Sequence, residues 1–173
     1  YQALLERNSQ SAYKQADETR WLVFVDCEGK SNHVWWLWVF LGADTVVYRL
    51  DPHRSHDVPQ GHYPENAEGF LMVDRLASYK AMKQVKEGTL KLAFCWAHQR
   101  RDFVQVGKGW EEFEEWALIW LRRIRDLYRL NRQRLTVLNQ PAEFAVAQAA
   151  LRQAIDALRG QQETELADPG LRL

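Results

Sequence analysis

Two acids far apart in the sequence, Asp17 and Asp74, are the first residues whose type and placement could do chemistry. Asp17 lies in Ala16-Asp17-Glu18-Thr19, at the entrance to an apolar run, and Asp74 closes the short apolar run Phe70-Leu71-Met72-Val73. If the strands that carry them are neighbours, the two carboxylates meet and repel, and a hard divalent cation relieves the repulsion. Mg²⁺ takes a few carboxylate oxygens and keeps waters for substrate phosphates. Two such ions about 4 Å apart can activate water on one side of a phosphodiester and stabilise the leaving oxygen on the other. An Asp at a strand end is also an ordinary turn former, so spacing alone leaves both readings open. Glu18 and Asp26 are rival acids on the same segment.

A second block is Cys95-Trp96-Ala97-His98-Gln99-Arg100-Arg101-Asp102-Phe103. Cys-x-x-His is half of a zinc-ligand spacing. The other half is missing: the second Cys is Cys27, and His53, His56 and His62 fall in a polar loop. A buried Cys ending a strand, with His98 near a helix start, fits the same residues. Arg100 and Arg101 in a first helical turn oppose the helix dipole, which prefers anions there. Two Arg at that place make sense beside a phosphate or a carboxylate cluster. Further on, Arg122, Arg125, Arg129 and Arg132 recur at spacings of three, four and three, which makes one stripe on a helix. Such a stripe can track a phosphate backbone. It can equally be a solvated face, or be paired with Glu111, Glu112, Glu114 and Glu115. Arg54, in the loop after Asp51-Pro52-His53, is a further candidate phosphate contact.

The elements that must position these residues follow from pattern. Residues 1–14 are too sparse in apolar positions for more than a weak helix or loose lead-in. Arg20–Cys27, His33–Leu41 and Thr45–Leu50 read as strands joined by the short turns 28–32 and 42–44, hence an antiparallel meander. The second strand is apolar on both faces, which predicts a covered, central position. Residues 51–68 read as loop with one helical turn. Phe70–Asp74 and Thr89–Phe94 read as two more strands around a helix over Arg75–Lys86. Everything after Ala97 reads as helix, over 97–106, 111–138 and 142–160, with Gly107 and Gly109 separating the first two and Pro141 opening the third. The polar residues after Gly160 read as a frayed tail.

Composition narrows the class. The chain has 173 residues, about one domain with a helical annex. It carries 23 Lys plus Arg against 23 Asp plus Glu, so zero formal charge excludes a protein that coats nucleic acid by bulk charge. Apolar residues are 46% and charged residues 27%, as in a folded domain. Eight Trp predict an aromatic core. Two Cys provide no disulfide framework and point to a reducing cytosol. The longest apolar run, Val34 to Gly42, is about half a membrane span, and no cleavable signal stands at the start. The first residue is Tyr1 rather than Met, which suggests a piece of a longer chain.

Taken in order, Asp17-Glu18-Thr19-Arg20-Trp21, Trp35-Trp36-Leu37-Trp38-Val39, Arg54-Ser55, Val73-Asp74-Arg75 with Ser78-Tyr79-Lys80, Cys95 to Phe103, and Leu127-Tyr128-Arg129-Leu130-Asn131 resemble the central domain of insertion sequence 66 family transposases. The resemblance covers about residues 16 to 135, and its Cys-Trp-Ala-His-x-Arg-Arg block is the most specific part. It implies an α/β, ribonuclease H-like mixed sheet, three antiparallel strands then parallel ones, followed by a helical insertion. The implied divisions are a lead-in over 1–15, a partial catalytic core over 16–106, the insertion over 107–160 and a tail over 161–173. It also implies DDE chemistry with Mg²⁺ or Mn²⁺: hydrolysis at transposon ends and transfer of the freed strand to target DNA. Asp17 and Asp74 match the first two acids of the family's triad and would hold the metal. Arg54, Arg100, Arg101 and the Arg122–Arg132 stripe would lie near DNA. The implied partners are DNA and, through self-association, other copies or other transposition proteins, with no membrane and a bacterial, nucleoid-associated cytoplasmic location.

The third acid of the triad, a Glu, has no matching position: Asn131 stands where many relatives carry Glu, and no Asn-Asn-x-x-Glu-Arg segment occurs. The family's leucine-zipper-like and zinc-binding regions also do not precede Tyr1. The sequence therefore reads as a catalytic-domain fragment with poor cleavage of its own. The alternative is a non-catalytic DNA-binding or interaction module that retains the transposase fold. A third reading is a structural zinc at Cys95 and His98.

Overall fold

The structure, a computed structural model, describes residues 1–23 and 34–168. The 28–32 turn, Asp26, Cys27 and His33 lie outside the described residues. The chain divides into two compact units, Tyr1–His98 and Gln99–Leu173.

The first unit is built on one five-stranded mixed sheet. Its strands are β1 (Tyr13–Leu22), β2 (Val34–Leu41), β3 (Val46–Asp51), β4 (Gly69–Val73) and β5 (Leu90–Phe94), in the order β3-β2-β1-β4-β5. β1, β2 and β3 pair antiparallel, whereas β4 lies parallel to β1 and β5 parallel to β4. Three antiparallel strands followed by parallel ones is the arrangement the sequence predicts. The β2–β3 turn is closed by the Gly42 N–H donating to the Thr45 carbonyl at 2.8 Å. A Cβ at residue 42 would stand 2.8 Å from Thr45 Oγ1, so glycine is needed there. β2 has a neighbour on each side, but the central strand is β1.

β1 differs from expectation. It begins at Tyr13, not Arg20, and Asp17 sits inside it rather than at its entrance. The cause is what it turns inward. Strand side chains alternate between faces, and the inward positions are Lys14, Ala16 and Glu18, of which the two charged ones hide the apolar alternation. Lys14 is buried and its Nζ donates to the Glu68 carbonyl at 3.0 Å.

The core under the sheet contains Trp38, Phe40, Leu71, Val73, Tyr79 and Met82, all at most 1% exposed. Residues 2–9, sparse in apolar positions, nevertheless form a helix, α1 (Gln2–Ser9), fastened by a polar anchor. The buried Asn8 side chain donates through Nδ2 to the Phe40 and Thr45 carbonyls, both at 3.1 Å, and shares a 2.7 Å bond between Oδ1 and His62 Nε2. His62 closes α2 (Asp57–His62), the one helical segment in the 51–68 loop, and stacks on Phe40 at 3.8 Å. Burial, with the nearby Arg49 charge, pushes its pKa down to about 4. It is therefore a neutral core histidine at pH 7.

The helix read over Arg75–Lys86 is two pieces, α3 (Ala77–Ala81) and α4 (Lys83–Lys86), broken at Met82 with ψ 141°. The reason lies in the spacing. Leu76, Tyr79, Met82 and Val85 recur every three residues, and each such step drifts about 60° around an α-helix. A straight helix would carry the last of them to the opposite face. The break re-aims the chain, so all four pack on the core.

The second unit is helical. α5 (Trp96–Gly109) starts at the end of the first unit, a 3-10 turn follows at Glu111–Phe113, and α6 (Glu114–Thr136) and α7 (Pro141–Ala167) pack together. Gly107 and Gly109 do not separate helices. Both lie within α5, and the chain breaks at Trp110, whose backbone is extended at φ −139° and ψ 112°. Gly107 instead permits close packing, since a Cβ there would meet Ala117 Cβ at 3.0 Å.

Nor are residues 161–167 a frayed tail, because α7 continues to Ala167. Its end is pinned by Glu165. That carboxylate accepts the indole N–H of Trp116 at 2.8 Å and of Trp120 at 2.6 Å, Arg123 Nη1 at 3.2 Å and Gln161 Nε2 at 3.1 Å. Burial alone would raise its pKa, but these four donors outweigh it and hold the carboxyl below its ordinary value. Its stabilisation is complete above the ordinary 4.5 and is lost as pH falls through the lower folded value. Glu165→Ala should therefore cost this unit about 2 kcal/mol at pH 7. It should also remove the acid-side loss of stability, as read by urea unfolding followed through tryptophan fluorescence.

Candidate metal centre at the ends of two parallel strands

The β1–β4 register aligns Tyr13 with Phe70, Lys14 with Leu71 and Gln15 with Met72. Two residues further along each strand, that register sets Asp17 beside Asp74. Val73 is the last residue of β4, and Asp74 begins the departure, its Oδ1 accepting the Leu76 N–H at 2.8 Å. Turn former and candidate ligand are thus one residue in two roles. β5 ends level with β4, where the Cys95 N–H donates to the Val73 carbonyl at 2.8 Å. α5 starts one residue later and brings His98 back toward the acids.

One donor atom each from Asp17, Asp74 and His98 falls within 4.8 Å of the other two. Asp17 Oδ2 and His98 Nε2 are 3.9 Å apart, with side-chain exposures of 51% and 26%. Asp17 Oδ1 accepts the Glu18 N–H at 2.9 Å, which leaves Oδ2 as the oxygen facing His98. Two carboxylate oxygens and an imidazole nitrogen suit a divalent cation. Among the described residues no third carboxylate joins this group.

Glu18 takes the opposite face of β1, and its side chain is 0% exposed. Arg54 grips one of its oxygens through Nε at 2.9 Å and Nη2 at 2.7 Å, and the Tyr79 hydroxyl donates to the other at 2.8 Å. Burial raises the Glu18 pKa, Arg54 and Tyr79 oppose that rise, and the Asp74 charge adds to it. Burial and the Glu18 charge likewise drive the Tyr79 pKa upward. Arg54 also lies 4.4 Å from the centroid of the Trp36 ring, and its carbonyl accepts from Ser78 Oγ at 2.8 Å. The loop after β3, the strand β1 and the helix α3 are thereby tied together beside the candidate centre. Arg54, singled out above as a phosphate contact, is placed in this clamp with its side chain 40% exposed.

Arg100 and Arg101 are exposed on α5. Arg122, Arg125, Arg129 and Arg132 are all exposed on α6, whose buried positions are Ala117, Trp120 and Ile124. Asp126 lies 3.5 Å from Arg125 and 3.6 Å from Arg129. Among the described residues no ion pair links the stripe to Glu111, Glu112, Glu114 or Glu115. Arg123 and Arg134 turn instead to α7, where Arg134 Nη1 donates to Gln148 Oε1 at 3.0 Å.

Cys95 is a free, half-buried thiol and is not part of the donor group. The His of the Cys-x-x-His spacing therefore sits with the two acids, a grouping that spacing to a Cys could not suggest. Its signal was a helix start directly after a strand that adjoins β4. No helix among the described residues is long and apolar enough to cross a membrane.

The sequence profile described as "Transposase IS66 family" matches residues 1–170. "Uncharacterized protein y4qI" of Sinorhizobium fredii (strain NBRC 101917 / NGR234) is 32% identical over 117 residues, which cover 60% of this chain and 21% of that protein. The chain thus spans about a fifth of the length of this curated relative. No solved structure matches.

Proposed function

Because the chain belongs to the transposase IS66 family, we propose that it carries a ribonuclease H-like part of a DDE centre for metal-dependent DNA cleavage and strand transfer. Asp17 and Asp74 are the metal ligands. The observation that carries this reading is their meeting where β4 ends beside the middle of β1, from positions remote in sequence. The sheet order β3-β2-β1-β4-β5 supports it, since a ribonuclease H-like sheet makes strands one and four neighbours. Mg²⁺ or Mn²⁺ bound there supplies positive charge that activates water and stabilises the leaving oxygen of a phosphodiester. The chain's own contribution is position. Asp17 is fixed by β1 and by the Glu18 N–H that its Oδ1 accepts, and Asp74 by its bond to the Leu76 N–H. Arg100, Arg101 and the α6 stripe provide positive surface for the DNA backbone.

Calorimetric titration with Mg²⁺ and with Mn²⁺ tests the centre. Asp17→Asn and Asp74→Asn should each weaken binding at least about tenfold, and equal binding by wild type and both variants would refute the assignment. The stripe is tested by salt. Arg122→Ala with Arg129→Ala should lower the slope of log affinity for duplex DNA against log salt by about 2.

The second reading, a DNA-binding module without turnover, draws on the fact that no third carboxylate joins the pair among the described residues. It is favoured if DNA binding persists while no nicking follows Mn²⁺ addition.

A further inference from the structure

His98 is unused by the carboxylate chemistry just described, yet its placement is specific. Its Nδ1 is buried with no hydrogen-bond partner, and its Nε2 faces Asp17 Oδ2 at 3.9 Å, beyond hydrogen-bonding distance. A neutral imidazole has one donor and one acceptor nitrogen, and the nitrogen on the acid side, Nε2, stands close to Asp17 without a hydrogen bond to it. A cation between His98 and the two carboxylates changes this. It takes the lone pair of Nε2 and leaves the proton on Nδ1. It also offsets the repulsion between Asp17 and Asp74.

The distances allow it. Metal–ligand bonds of about 2.1 Å set donor separations between about 3 Å for adjacent ligands and about 4.2 Å for opposite ones. Donors within 4.8 Å of one another reach those values by small side-chain rotations.

Resting on the reading of Asp17 and Asp74 as a metal pair, we propose that His98 is a third protein ligand of the same cation, and that its nitrogen tunes the centre toward first-row transition metals over Mg²⁺. Mg²⁺ favours all-oxygen shells, whereas Mn²⁺ and the ions after it gain from an imidazole. The three ligands then come from three elements: β1, the residue after β4, and the first turn of α5. This use of the histidine differs from the zinc reading, in which it would pair with the thiol of Cys95.

The probe is Mn²⁺ alone, added to the full chain and followed by pulsed electron paramagnetic resonance and by calorimetry. Wild type should show the nitrogen hyperfine coupling of a directly bound imidazole, a measurement that needs no variant to fold. His98→Ala and His98→Gln, checked for native circular dichroism, should lose that coupling. They should bind Mn²⁺ about tenfold more weakly but Mg²⁺ only about twofold more weakly. Mn²⁺ binding that depends on Asp17 and Asp74 but lacks nitrogen coupling, or that is unchanged in both variants, overturns the role of His98 and leaves the carboxylate pair standing. Absence of Mn²⁺ binding in wild type removes both.

Discussion

Arg54→Ala should destabilise the sheet unit by about 2–3 kcal/mol, and Glu18→Gln by only about 1 kcal/mol, although each breaks the same ion pair. The asymmetry comes from burial. The Glu18 side chain is 0% exposed, whereas Arg54 is 40% exposed. When Arg54 is removed, a carboxylate stays out of water with the Tyr79 hydroxyl as its remaining partner, and an uncompensated buried charge is costly. When Glu18 is neutralised, Arg54 relaxes toward solvent, and the amide still offers an acceptor to Tyr79. The figure for Arg54 sits below that for a fully buried pair because solvent screens its exposed side. Chemical denaturation of the two single variants and the double variant closes the cycle. Equal losses for the two single changes would mean that the pair acts as a surface salt bridge.

Trp38→Ala should be costlier still, about 3–5 kcal/mol. The ring is 0% exposed, lies parallel to Phe40 with centroids 6.4 Å apart, and meets Tyr79 edge-on at 6.0 Å. Its Nε1 donates to the His53 carbonyl at 3.3 Å. Truncation removes the transfer energy of a large aromatic and leaves a cavity that three neighbouring elements cannot all close. It also removes the wall behind Tyr79, and through Tyr79 the second support of Glu18. Trp38→Phe keeps the aromatic layer and should lose less. Thermal unfolding of both variants measures the difference, and a Trp38→Ala protein that melts with wild type would contradict this account of the core.

How much of this was legible in the sequence depended on what each element buries. β2, β3, β4 and β5 fall within a residue or two of their expected bounds, because their inward positions are apolar and turn residues flank them. β1 was legible only in its apolar second half. Its first half turns Lys14 and Glu18 inward, and their satisfaction depends on Glu68, Arg54 and Tyr79, which are far away in the chain. α1 was faint because Asn8, a polar residue, is what fastens it. The far end of α7 was missed for the same kind of reason, since Glu165 owes its anchoring to residues on α6. In the candidate centre, two acids at strand positions could be named in advance. The arrival of His98 could not, because it depends on where β5 ends relative to β4.

The parallel pairing of β1 with β4 has a consequence for assembly. Contacts between residues distant along the chain form late and at an entropic cost, so the donors from β1, β4 and α5 come together only when the crossover has closed. A cation that needs all three binds the finished sheet and not the open chain. If the proposed centre binds its cation, mass action would make that cation a brace, adding about 2.7 kcal/mol when present at a hundredfold excess over its dissociation constant.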